Sequence, residues 1–334
     1  MTLDERLQAL APLGFTPRQA RFLITVALHS GYCLRRQYAC FARVAYGKNV
    51  RDFLDDLVDR RLANRFSYRT NRGHLYHLHA RSIYRALGHE DDRHRRHTSP
   101  AHVARKLMLL DLVLSEPDVE WFATEREKVA LFTERWRVPL TDLPRSAPEL
   151  EGDQVPPATT RYFGHKLPIG VAGDPPRVQF VYLATDAGAQ PFERFLRDHA
   201  RLLRSLPAWT VIVAHGGHVA ATTLWDSTFR RVVGGVDGLQ TEAAHALEQY
   251  LVVRRAVERR EFATLSVADL QAFRVGQSRF VDPAIEALFK AWIATGNDRI
   301  DPALLKSVVP ETGRLVVRSL PFTYTQFGAF AGVL

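Results

Sequence analysis

Apolar positions in the first ninety residues recur every three or four places. Phe22, Leu23, Val26 and Ala27 follow Thr16-Pro17-Arg18, where threonine offers a capping oxygen and proline a preset first helical turn; Ser30-Gly31 ends the run. A second helix is predicted over 34–43, with Tyr38, Phe41 and Ala42 inward. Gly47 separates it from a third over 49–62, whose Val50, Phe53, Leu54, Leu57 and Val58 form one stripe. Strand-like runs 65–69 and 74–79 flank Thr70-Asn71-Arg72-Gly73, in which Asn and Gly suit a tight turn. A short helix over 82–87 completes the order helix, helix, helix, hairpin, helix.

The segment 88–100 holds His89, Asp91, Asp92, Arg93, His94, Arg95, Arg96 and His97 without apolar periodicity, and is read as an exposed linker. Ser99-Pro100 then opens an apolar helix over 101–114, and Trp121-Phe122 leads into another over 124–135. A Pro- and acid-rich stretch, 139–157, is a predicted surface loop. Beyond it, strands are expected over 160–163, 166–171, 177–184 and 209–214, with a helix over 191–206 between the last two. Such a βαβ unit implies neighbouring parallel strands. Helices follow over 218–232, 241–260, 267–273, 283–295 and 302–307, and a strand over 313–320 is expected to close an edge.

Charge divides the chain unevenly. The total is +9, yet residues 1–106 hold 20 Lys and Arg against 9 Asp and Glu, or +11, and the remainder holds 25 against 27, or −2. Compositional bias would spread such an excess, so its confinement implies a polyanionic partner for the first third. No run of eighteen apolar residues exists, so no membrane span is expected, and Met1 to Arg6 lacks the basic start and apolar stretch of a secretory signal. Cys33 and Cys40 lie seven apart in a stretch with helical spacing, too few for a disulfide framework and without zinc-site spacing. A cytoplasmic location is the expectation.

Three helices and a hairpin with this charge are read as a winged helix-turn-helix. In that geometry the recognition-helix N-terminus meets base edges while flanking residues hold phosphates. Lys48, Asn49 and Arg51 occupy that helix end, and Arg and Asn suit reading of G and A. Arg69, Arg72 and His74 stand at the wing tip, and Arg35, Arg36 and Arg43 on the second helix are candidate backbone contacts. Asp55, Asp56 and Asp59 on the third helix oppose this assignment, because they would repel phosphate. His77 and His79 share a strand face, but with no cysteine or carboxylate cluster beside them they are read as partly exposed wing residues, and no metal is assigned. No Gly-rich phosphate loop, nucleophile elbow or H-E-x-x-H occurs. His215-Gly216-Gly217-His218 is read as a turn after a strand.

Phe15-Thr16-Pro17-Arg18-Gln19-Ala20-Arg21-Phe22-Leu23, the 50–62 helix and the wing Leu75-Tyr76-His77-Leu78 resemble the replication-relaxation family, winged-helix proteins of plasmids and integrative conjugative elements. The later order of helix, three strands, helix and strand resembles that family too. This implies a second domain like the PD-(D/E)xK nuclease core. Such a core needs an acid on its second strand and D/E-x-K on its third. Here the second reads Lys166-Leu167-Pro168-Ile169-Gly170-Val171 and the third Val178 to Asp186, with no acid in one and no lysine in the other. Glu125, Glu127 and Asp174 are the remaining carboxylate candidates.

The expectation is an α+β or α/β chain with three parts: a winged-helix domain over 1–88, a charged linker over 89–100, and a nuclease-like domain with helical extension over 101–334. It is expected to bind double-stranded DNA for a mobile element, in replication, transfer or transcriptional regulation, without a cofactor, metal or small-molecule substrate. A homodimer is left open. A Mg-dependent nuclease using Asp174, Glu125 or Glu127 with Lys166, and a protein-interaction platform, are the alternatives.

Overall fold

A computed structural model describes residues 1–67, 73–146, 160–185, 188–216, 222–233, 236–302, 304–305, 312–322 and 324. The chain is mixed α+β. It begins with a helix that apolar spacing does not reveal, α1 (Leu3–Leu10), capped reciprocally by Thr2 and Glu5. Thr16 and Gln19 form the same box at the start of α2 (Pro17–His29). A three-residue strand, β1 (Tyr32–Leu34), precedes α3 (Arg35–Ala42) and α4 (Lys48–Asp59), so Cys33 lies on a strand and only Cys40 on a helix. Next come β2 (Ala63–Ser67), β3 (His74–Leu78) and α5 (Arg81–Ala86). Strand β3 lies between the other two, antiparallel to both, pairing His77 with Tyr32 and His74 with Ser67. Phe22 and Val26 of α2, Phe53 and Leu54 of α4, Tyr76 of β3 and Ile83 of α5 fill the core beneath them.

The stretch expected to be an exposed linker is instead packed against this module. Asp92 caps a 3-10 turn, Arg93–Arg95, and His94 within it is only 4% exposed. The His77 Nε2–H donates to the His94 carbonyl (3.1 Å), and Arg93 donates to the Lys166 carbonyl (2.9 Å). Gly31 (φ +75°) makes room, since a Cβ there would stand 2.3 Å from the His94 carbonyl oxygen. The buried side chain here is one imidazole, that of His94, and the same residue meets the imidazole of His77 from the sheet through its carbonyl, which is why no aliphatic periodicity marks the segment.

Helix α6 (Pro100–Ser115) follows, then β4 (Glu120–Phe122) and α7 (Glu125–Ala130), which continues as a π-helical turn, Leu131–Arg135, where one regular helix was expected. β5 (Arg145–Ser146) and β6 (Arg161–Tyr162) make a small ribbon. The main sheet adds β7 (Ile169–Ala172), β8 (Arg177–Ala184) and β9 (Trp209–Gly216), with α8 (Gln190–Ser205) crossing between the last two. Helices α9 (Thr222–Val233), α10 (Val236–Glu258), α11 (Val267–Arg279) and α12 (Pro283–Thr295) lead to β10 (Gly313–Leu320). The sheet order is β10-β9-β8-β7-β4. Strands β8, β9 and β10 run parallel, β7 and β4 antiparallel to their neighbours, and β10 closes the edge as expected.

Phe192 and Phe195 of α8 with Trp225 and Phe229 of α9 cover one sheet face. The other belongs to α6, whose Leu107 and Leu112 join Val181, Leu183, Ile212 and Ala214 from the sheet and Tyr32, Leu34 and Leu75 from the first module in one cluster. Leu110 of the same helix enters the first module's core. Helices α10 and α12 build a separate cluster around Leu247, Leu251, Phe289 and Trp292.

One carboxylate interrupts the apolar surface of α6. Asp111 (side chain 8% exposed) accepts two bonds of 2.7 Å from Arg36 of α3 and one of 2.5 Å from the Tyr324 hydroxyl. The Arg36 guanidinium also lies 3.5 Å from the centre of the Phe322 ring. Removing one partner of a buried pair leaves the other charge uncompensated. Asp111→Ala is therefore expected to lower the unfolding free energy by about 3 kcal/mol in urea titration. The Arg36→Ala/Asp111→Ala double variant should lose clearly less than the two single losses added.

Candidate nucleic-acid interface

The surface with the required chemistry lies where α3 turns into α4. Arg43 ends α3 in the left-handed region (φ 53°), and Gly47 precedes α4 without a capping side chain, so the first N–H groups of α4 have no side-chain partner. Val50, Phe53, Leu54 and Leu57 anchor the inner side of the helix. That leaves Lys48, Asn49 and Arg51 exposed, as is Arg43. None of the four side chains has a partner among the described residues.

The rotation that exposes Lys48 also turns Asp52, Asp55 and Asp59 outward, since residues four apart share a helix face. Asp55 is neutralised by its neighbours. It accepts from the Tyr76 hydroxyl (3.0 Å), from Arg35 (3.2 and 3.3 Å) and from Arg65 (3.3 Å). Desolvation works against ionisation there, but the Tyr76 bond and the two guanidiniums outweigh it and hold the carboxyl below its usual value. Asp56 pairs with Arg60 at 3.2 Å.

The remaining expected contacts are distributed differently. Arg35 is held by Asp55 and by Tyr76 (2.8 Å), and Arg36 by Asp111, so both guanidiniums serve internal ion pairs. His74 is half-buried beside Ser67 (3.3 Å). Desolvation, then Arg35 and Arg65, lower its pKa and so disfavour the charge a phosphate contact would use. Arg69 and Arg72 lie outside the described residues. Two residues that helix periodicity did not single out join the surface: Arg18 and Arg21 are exposed on α2, and Arg18 donates to the Ala42 carbonyl (3.3 Å) beside Arg43. Their i, i+3 spacing on the polar side of α2 was the available signal.

His77 is not the partly exposed residue expected. It is 1% exposed, stacked on Tyr32 (4.2 Å between ring centres) and edge-on to His97 (4.9 Å). Among the described residues no group of three or more His, Cys, Asp and Glu is arranged to hold a metal ion. His215 is buried against Trp225, and the two residues after Gly216 lie outside the described ones.

In the second module two of the three remaining carboxylate candidates are spent on local structure. Glu127 completes the Thr124 cap and pairs with Arg6, and Glu125 accepts from the Tyr162 amide (2.6 Å). Lys166 and Asp174 stand beyond opposite ends of β7. On the sheet side facing α6 the chain presents Gly170, Gln179 and Val181. A Cβ at Gly170 would lie 2.6 Å from Val119 and 3.0 Å from Trp121. No protein-family model matches the chain, and no curated protein or solved structure matches it either.

Burial sets a pH response. It pushes His29 down to about 3, His77 and His199 to about 4, and lowers His94 as well, from 6.5. Between those values and 6.5 the unfolded chain binds the extra protons. The stability from these neutral rings is therefore complete above 6.5 and is lost as pH falls toward 4, by up to about 1.4 kcal/mol per pH unit per histidine. Urea midpoints at pH about 7.5 and about 5 check this: the midpoint should drop steeply at the lower pH.

Proposed function

We propose that this chain binds double-stranded DNA through its N-terminal module, without cleaving it. The observation that carries the reading is the start of α4, where Lys48, Asn49 and Arg51 project from an anchored helix with no internal partner. The order α2, β1, α3, α4, β2, β3, with β1 pairing β3, supports a winged helix in which α4 is the recognition helix. Neutralisation of Asp55 by Arg35 and Arg65 removes the main electrostatic objection to phosphate near that helix. An association with a mobile element, in replication, transfer or transcriptional regulation, rests on the resemblance to the replication-relaxation family.

The sequence α6, β4, β7, β8, α8, β9 supports a nuclease-like framework for the second module. Gly170 on β7, and Gln179 with Val181 on β8, stand where such a framework needs an acid and the D/E-x-K pair. A side chain at 170 has no room, and 179 and 181 offer no carboxylate or lysine. These features favour binding over hydrolysis.

Fluorescence anisotropy with a labelled duplex of about 30 base pairs at low salt tests the proposal; a wild-type protein that does not bind overturns it. Lys48→Ala and Arg51→Ala should weaken binding, and a lost phosphate contact should flatten the dependence of log affinity on log salt by about 1. Asp55→Asn removes a charge from the same face and releases Arg35 and Arg65, so it should bind DNA more tightly. Supercoiled plasmid incubated with the protein and Mg²⁺ should stay intact.

A further inference from the structure

The chain has a cleft of about 1170 Å³ between α2 with the end of α3 on one side and residues 113–135 on the other; Met1, Thr2, Leu3 and Arg6 also line it. Arg18, Arg21 and Arg43 line the first wall, and Glu116, Glu120, Glu127, Glu134 and Arg135 line the second and the floor. Arg6 lines it as well, so five guanidiniums face four carboxylates, and three of those carboxylates are already engaged. Glu116 pairs with Arg318, Glu120 with Arg135 (2.9 Å) and Glu127 with Arg6. Glu134 is exposed and is the only one of these acids with no ion pair among the described residues. Arg21 and Arg43 have no partner among the described residues, and Arg18 has one bond to a neutral carbonyl. The uncompensated charge is therefore positive and concentrated on the α2 wall. It meets the proposed DNA surface at Arg43, which lines the cleft and is exposed at the end of α3.

Resting on the DNA-binding reading, we propose that this cleft holds the phosphate backbone of one strand of the duplex flanking the site met by α4. Arg18 and Arg21 are then phosphate contacts. They supply affinity without sequence preference, and Glu134 opposes them from the facing wall.

The test uses the full chain and the same labelled duplex of about 30 base pairs. Arg18→Ala/Arg21→Ala is expected to weaken binding about tenfold and to flatten the salt dependence by about 2, equally for duplexes of unrelated sequence. Glu134→Gln is expected to tighten binding about twofold, although residue 134 is on neither α2 nor α4. Circular dichroism melts serve as the folding control, since all three side chains are exposed. If the wild type binds and Lys48→Ala weakens it, while both cleft variants match the wild type, the cleft proposal is overturned and the α4 reading stands. If the wild type does not bind duplex at all, both fall.

Discussion

Over residues 107–113 helix α6 must be buried on all its sides, and most of the architecture follows from that. Val103, Leu107, Met108, Leu109, Leu110, Leu112 and Val113 leave it no wide polar face, so it cannot lie on a surface as an amphipathic helix does. One side meets β1 and the helices of the first module, the other the main sheet. The two halves consequently share a core. The position of α3 and α4 relative to the sheet is then a matter of packing, and linker length has little to do with it. Asp111 adds direction to a contact that apolar burial alone would leave free to slide: its two Arg36 bonds and the Tyr324 hydroxyl fix one register between α3, α6 and the chain after β10.

The same module leaves some cations in solvent while packing others inward. It does so by division of labour along the chain. Arg35 and Arg36, at the start of α3, are drawn into ion pairs that hold the helix in place, whereas Arg43 and Lys48, in the following turn, are left in solvent. Asp55 links the two tasks. It gives Arg35, Arg65 and Tyr76 a common acceptor, which knits α3, β2 and β3 to α4, and in doing so loses most of its field as a free anion. A row of aspartates on α4 is therefore less hostile to phosphate than its sequence suggests, although Asp52 and Asp59 are exposed with no ion pair among the described residues.

Local chemistry in the sequence was legible and long-range pairing was not. Thr16-Pro17 and Ser99-Pro100 mark helix starts to within a residue, and the run 177–216 declares its βαβ unit, because caps and periodicity act within a few positions. Strand β1 escaped because three apolar residues between two helices have no period of their own, and its pairing partner lies more than forty residues on. The histidine-rich segment 88–100 escaped because its buried residue, His94, is an imidazole, which composition counts as polar. Among site residues, Lys48, Asn49 and Arg51 could be read as exposed from the apolar stripe beside them. The ties of Arg35 to Asp55, twenty residues away, and of Arg36 to Asp111, seventy-five away, needed the fold.

The burial of α6 also bears on what the sheet beneath it can do. Of its facing positions, Val181 and Leu183 join the α6 cluster, Gly170 lies against Val119 and Trp121, and the Gln179 side-chain oxygen is buried with no hydrogen-bond partner among the described residues. A carboxylate at 170 would have to displace Trp121. At 181 it would be stranded in the cluster that joins the two modules, at a cost that only a bound cation or a matched base could offset. Docking the first module through α6 and keeping a hydrated metal site under α6 are thus competing uses of one surface. This chain has committed that surface to docking, which leaves the arginines of α2 and the start of α4 as the accessible cationic chemistry next to it.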